Sequence, residues 1–323
     1  QPASSIPPRV RVLRGRGRGG TPDPTLGVTV FTFLLRRIAS GVALVFVTAT
    51  VTFFLTAMTG SDPARRILGP TATLDEVAAK QAELGLDQPV LQRYFDWLGG
   101  VLHGDLGISW FTNESVTTLV WAALPVTLSL VVSAIVLTAL ISVVLGVVSA
   151  VRGGWLDNAV QVLSIVGFAI PSFLVGLLLS VVFAVQLGVL PAIGYTPLSV
   201  DPAGWLTSIT LPAVALTVGA VATVSTQTRG SMIEVLNQDY VRTLRSRGLP
   251  TRSILLKHAL RNAAPASLTI LSLQFIALIS GAVVIEKVFG LNGIGQLATS
   301  AASRATFRSS SAWSSSSSPS SSS

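Results

Sequence analysis

The 323-residue chain contains no cysteine, only two histidines and two methionines, and few charges: 11% of its residues are Asp, Glu, Lys or Arg. Without cysteine, disulfides and thiolate metal sites are excluded. His103 and His258 lie in separate polar segments, so a protein-bound metal has no clustered ligand set. No G-x-x-x-x-G-K-[ST] phosphate loop, H-E-x-x-H or G-x-S-x-G occurs, which leaves nucleotide hydrolysis and catalytic chemistry without visible machinery in this chain. Soluble domains carry about a quarter charged residues. A chain with far fewer, half its residues hydrophobic and a mean hydropathy of +0.67, is a membrane protein.

Uncharged stretches run over 38–61, 115–151, 158–200, 202–228 and 262–285. Each exceeds the roughly 20 residues that a helix needs to cross a bilayer. Five spans are predicted, at 38–58, 126–150, 160–185, 209–228 and 264–284, the third kinked at Pro171. The period-two alternation of a membrane barrel is absent, and the backbone must be satisfied within each segment. The predicted fold is therefore an all-α polytopic helical bundle.

Lys and Arg beside the spans set orientation, because basic loops are retained in the cytoplasm. Arg9, Arg11, Arg14, Arg16, Arg18, Arg36 and Arg37 precede the first span, Arg152 follows the second, and Arg229, Arg242, Arg245, Arg247, Arg252, Lys257 and Arg261 follow the fourth. Most of the acids lie on the other side, between Asp62 and Glu114 above all. The N-terminus is placed on the cytoplasmic side. Five parts follow: a disordered basic tail (1–30), a first transmembrane helix (31–59), a small extracytoplasmic helical cap (60–120), a core (121–300) that carries the basic loop 229–262, and a Ser-rich disordered tail (301–323). In the cap, helices are predicted from 74 to 84, stopped by Gly85, and from 90 to 98.

A need for positive charge inside accounts for a basic loop but not for its local pattern. Asp239 is a suitable N-cap for a helix over YVRTLRSR, Gly248 stands just beyond its end, and Leu249-Pro250 breaks the chain before Thr251 caps a second short helix. Tyr240, Leu244 and Gly248, spaced by four, form a narrow apolar stripe flanked by Arg242, Arg245 and Arg247. Such a stripe suits a protein partner with a groove.

The stretch DYVRTLRSRGLPTRSILLKHALRNAAP resembles the cytoplasmic coupling loop of membrane permease subunits of ABC importers, of the dipeptide, oligopeptide and nickel type. FLLRRIASG, SDPAR, LGLDQPVLQRYFDWLGGVLHGDLGIS, LPVTLSL, IPSFLVGLLL and SGAVVIEKVFGLNGIGQL resemble that family in the same order, over about residues 30–300. Two features depart from it: Leu244 and Ser246 stand where the family commonly has alanine, and no sixth apolar run follows the fifth span. Twelve of the last 15 residues are serine. In a GC-rich gene Val and Leu codons read one base out of step become Ser codons, so a frameshift is expected to have replaced the last span.

The resemblance implies a non-catalytic transport subunit that binds no cofactor itself. Its implied partners are a homologous second permease, two ATPase subunits that bind ATP and Mg, an extracytoplasmic substrate-binding protein and the bilayer, with no nucleic acid. Asp239, Tyr240, Leu244, Arg247, Gly248 and Leu249 would couple to the ATPases. Polar residues within spans are candidates to line the path: Gln161, Ser164, Thr223, Gln227 and Gln274, alongside Thr217, Ser225 and Ser272. The 60–120 cap and the Asn292-Gly293 region would receive the binding protein. The cargo is a di- or oligopeptide, with nickel or another small solute as the alternative. A secondary transporter or channel is disfavoured because the span cores lack ionisable relays, and a membrane scaffold is distinguished by whether an ATPase binds.

Overall fold

A computed structural model describes residues 24–58, 63–109 and 112–306, and the described residues are helices joined by turns. The chain divides into two compact units, residues 1–61 and 62–323. The first unit contains α1 (Pro24–Met58). The basic tail expected through residue 30 is thus helical from Pro24: proline suits a first helical position, and the next charge is Arg36. Residues 1–23 and the stretch beyond residue 306 lie outside the described residues.

The second unit opens with three short helices, α2 (Pro63–Leu68), α3 (Leu74–Glu83) and α4 (Val90–Leu102). At α3 Thr73 and Glu76 form a reciprocal capping box: the Thr73 hydroxyl accepts from the Glu76 N–H at 3.3 Å, and the Glu76 carboxylate accepts from the Thr73 N–H at 2.8 Å. These bonds, the backbone one foremost, hold the Glu76 carboxyl below its usual range. A lowered folded-state pKa means that the cap is intact at neutral pH and is lost as pH falls through that value. We expect Thr73→Ala to speed amide exchange over residues 74–83 by roughly fivefold, and an unchanged rate would show that the cap is idle. The second helix is longer than the expected 90–98 because Gly99 and Gly100 continue it. Tyr94 is its buried anchor, while Leu91 and Phe95 stay exposed. The cap is tied to the bundle where Thr117 accepts from the Leu106 N–H and donates to the Gly104 carbonyl, both at 3.2 Å.

Among the described residues four helices are long and apolar enough to cross a membrane: Thr32–Met58 of α1, α5 (Val116–Arg152), α8 (Pro202–Leu236) and the continuous run Thr251–Val288. The expected third span is different. It is a broken pair, α6 (Gly154–Ala169) and α7 (Ser172–Leu179, extended by a π-helical turn through Gln186), bent by 98°. Ile170 and Pro171 are both extended there, with ψ of 123° and 133°. Proline disfavours a helical residue before it and removes one helical N–H. Pro125, Pro212 and Pro265 nonetheless sit inside unbroken helices.

Small residues at intervals of four make α5 fit α8. Ala134, Thr138 and Ser142 are fully buried, and at Gly146 a β-carbon would stand 2.7 Å from Thr228 Cβ and 2.9 Å from the Ser225 carbonyl oxygen. Close backbone approach through small residues is the usual basis of helix association in lipid. The larger side chains, Leu130, Ile209, Leu216, Leu278, Ile285, Phe289 and Leu291, form one core toward the other end of the bundle. Gly176 of α7 leaves room there for the Phe289 ring.

After α8 come α9 (Asp239–Ser246) and α10 (Thr251–Ser253), which runs through a π-helical turn, Ile254–Ala259, into α11 (Leu260–Val288). The second helix of the basic loop is therefore the start of the last long span rather than a short separate helix. The chain continues into α12 (Ile294–Thr306), so helix persists past the expected boundary at residue 300. No charged residue occurs between Ile294 and Ala302 to interrupt it.

Candidate functional site

The basic segment is built on a specific stop. Gly248 has φ +77°, its N–H donates to the Arg245 carbonyl at 2.9 Å, and the Leu249 N–H reaches back to the Leu244 carbonyl at 3.3 Å. This is the paired bonding of a Schellman motif, with glycine at the left-handed position and Arg247 at the C-cap. Asp239 is not the N-cap: Gln238 holds that place, and Asp239 begins the helix, its exposed carboxylate 3.3 Å from Arg242. A first-turn carboxylate still favours the positive helix start. Thr251 likewise begins its helix, with Pro250 as N-cap.

The apolar side of α9 divides between two directions. Val241 is fully buried, and Tyr240 packs beside Met232, Val235 and Ala259, its hydroxyl accepting from the Asn262 side-chain amide at 2.8 Å. Val241 escaped the stripe 240, 244, 248 because it lies one residue off it. Its signal is being the one β-branched aliphatic in DYVRTLRS. Leu244 and Leu249 remain half-exposed, and Arg247 and Gly248 face solvent. Thus α9 is anchored to the ends of α8 and α11 by one edge and presents the other.

Four of the five polar candidates within spans meet in one place. Gln161 and Ser164 of α6, with Thr223 and Gln227 of α8, line a cleft of about 470 Å³ together with Phe168 and Thr226. Gln274 lines a neighbouring cleft of about 280 Å³ beside Pro171, and Phe168 and Thr223 border both. Thr217 and Ser225 are instead buried and bond carbonyls of their own helix, and Ser272 does the same from an exposed position.

Two charged constellations were missed because each joins residues far apart in sequence. Asp157 of α6 accepts from Arg229 of α8 through both oxygens at 2.5 Å, and from the Ser149 hydroxyl. In the sequence Arg229 reads only as positive charge, though Asp157 is one of few acids on that side. At the other end Glu286 is fully buried. Its carboxylate accepts from the Thr127 hydroxyl at 2.6 Å and from the Gln296 N–H at 2.9 Å, while Thr127 accepts from the Ile294 N–H at 2.8 Å. Glu286 and Thr127 together cap α12, and a β-carbon at Gly293 would stand 2.3 Å from that carboxylate. Of the expected Asn292-Gly293 docking region, Asn292 is exposed and Gly293 is buried.

Comparison with known proteins settles what kind of bundle this is. Residues 142–316 match the model of the binding-protein-dependent transport system inner membrane component, and residues 30–131 match that of the N-terminal membrane component of the same systems. The chain belongs to that permease family. It is 37% identical over 269 residues to the oligopeptide transport system permease proteins of Salmonella typhimurium and Escherichia coli, covering 82% of this chain and 85% of each of theirs. A Brucella abortus protein named for a peptide transport system permease is 39% identical over 265 residues, 82% of this chain and 84% of that one. An ABC importer permease is an inner-membrane, multi-pass component, in keeping with the long apolar helices.

Proposed function

We propose that this permease forms half of a pathway for di- and oligopeptides, paired with a homologous second permease and driven by two ATPase subunits that bind ATP and Mg. An extracytoplasmic binding protein delivers the peptide at the cap. The observation that carries this reading is α9. It is a short helix, rigidly stopped at Gly248, joined to α8 through only Asn237 and Gln238, and packed on the π-helical turn that begins the last span. A partner that grips Leu244, Arg247, Gly248 and Leu249 therefore moves α8 and α11 together, and with α8 one wall of the cleft. ATP-driven closure of the ATPases then switches the pathway between inward- and outward-facing states.

Peptide is favoured over nickel as cargo because the relatives are named for peptide transport. The cleft is also lined by neutral amides and hydroxyls rather than by metal-binding groups. The test is uptake by proteoliposomes that hold the complete transporter. ATP-dependent accumulation of a labelled tripeptide is expected, without accumulation of nickel; the reverse outcome would overturn the peptide assignment. Orientation is tested separately. A reporter active only in the cytoplasm should work when fused after Gly248 and fail when fused after Gly100, and equal activity at both sites would contradict a cytoplasmic N-terminus.

A further inference from the structure

The α6–α8 cleft contains no ionisable side chain among its lining residues, yet a guanidinium lies at its foot. Gln161, which lines the cleft, sets its side-chain amide against Arg229; with the amide oxygen assigned to the side that faces the guanidinium, it accepts from Nε and Nη1 at 3.1 Å. Arg229 is about a quarter exposed, and its fork is filled by Asp157 in bidentate geometry. Asp157 is itself fixed by the Ser149 hydroxyl. Bidentate pairing with a carboxylate is what a free arginine at this place would offer to a carboxylate in the pathway. Resting on the reading of this permease as a peptide pathway, the geometry points to Asp157 as a specificity-determining residue: it occupies Arg229 so that the cleft stays neutral and handles peptides through their backbone amides, whatever their charge.

Gln161 and Gln227 each offer both a donor and an acceptor, and Ser164, Thr223 and Thr226 can do the same. Such groups match peptide N–H and C=O without reading side chains. With Asp157 neutralised, Arg229 would be released to hold acidic side chains and C-terminal carboxylates at the foot of the cleft. Acidic peptides would bind more tightly there and leave more slowly.

The test uses the complete transporter in proteoliposomes and three labelled tripeptides with blocked termini: acidic, neutral and basic. For Asp157→Asn, at saturating peptide, the ratio of acidic to neutral uptake should fall about tenfold because release is slowed, and the KM for the acidic peptide should fall with it, as one added charged contact would produce. Asp157→Glu keeps the charge and should keep the wild-type ratio. The double variant Asp157→Asn/Arg229→Gln removes the released guanidinium and should restore that ratio even if total uptake is lowered. A uniform change for all three peptides in Asp157→Asn, or an acid-specific defect that persists in the double variant, would overturn the proposal. If the wild-type complex carries none of the three peptides, it is the peptide reading itself that fails.

Discussion

Replacing Gly146 with alanine should destabilise the bundle, whereas the same replacement at Gly230 should not. At Gly146 the new β-carbon would meet Thr228 Cβ at 2.7 Å and the Ser225 carbonyl oxygen at 2.9 Å, while at Gly230 it meets nothing within 4 Å. Rotation about χ1 would move Thr228 Cγ2 but not its Cβ, and the Ser225 carbonyl is backbone, so both contacts yield only if α8 moves. Overpacking of this kind costs about 1 to 3 kcal/mol, whereas Gly→Ala in an open helical position gains up to about 1 kcal/mol of helix propensity. The two variants should therefore shift thermal stability in detergent in opposite directions. Arg229 follows Thr228 directly, so displacement of α8 should also loosen its pairing with Asp157. Equal melting temperatures for Gly146→Ala and Gly230→Ala would refute close α5–α8 packing as the basis of the core.

The second large effect is expected at Gly248. Gly248→Asp should abolish peptide-stimulated ATP hydrolysis by the reconstituted complex while leaving the protein inserted. The left-handed backbone at φ +77° costs a residue with a β-carbon roughly 1 kcal/mol or more. A β-carbon there meets no atom of this chain, so the penalty within the permease is conformational. A carboxylate carried into a partner's groove without a counter-charge adds several kcal/mol more. Since about 1.4 kcal/mol changes an equilibrium tenfold, coupling should be lost. Arg245→Gln, exposed on the same helix, should do little, because an exposed charge contributes at most about 1 kcal/mol. Wild-type stimulation in Gly248→Asp, or equal loss in both variants, would reduce the segment to a cluster of charge that fixes topology.

Much of the architecture was legible because lipid imposes a simple rule: a long uncharged run must be helical. That rule located the apolar cores of α1, α5, α8 and α11 within their observed limits. It could not show that the kink expected at Pro171 is a full break of 98°, since α6 and α7 are both apolar and three other prolines are accommodated without a break. The stop at Gly248 was legible because glycine before Leu-Pro leaves few backbone options, whereas the start was misjudged by one residue, as Asp is favourable both at the N-cap and in the first turn.

What sequence could not supply were pairings across distance. Gly146 is a tolerated small residue until Thr228 is placed against it. Asp157 and Arg229 are ordinary charges at span ends until α6 and α8 meet, and Glu286 reads as a residue just past a span until Thr127 and the start of α12 close around it. The polar residues of the cleft are legible only singly, each as a polar residue within a span. Their convergence followed from the bend that brings α6 along α8, which no local pattern encodes.

The absence of native cysteine makes the central claim open to a direct measurement. Leu244→Cys places a single thiol on the presented edge of α9, and Leu91→Cys places one on the exposed face of the cap. In membranes that contain the complete transporter, a short bifunctional thiol–amine reagent should join the permease to an ATPase subunit through position 244 and not through position 91. Its yield at 244 should change when ATP is added. Crosslinking to an ATPase from position 91, or none from position 244, would contradict coupling through this helix.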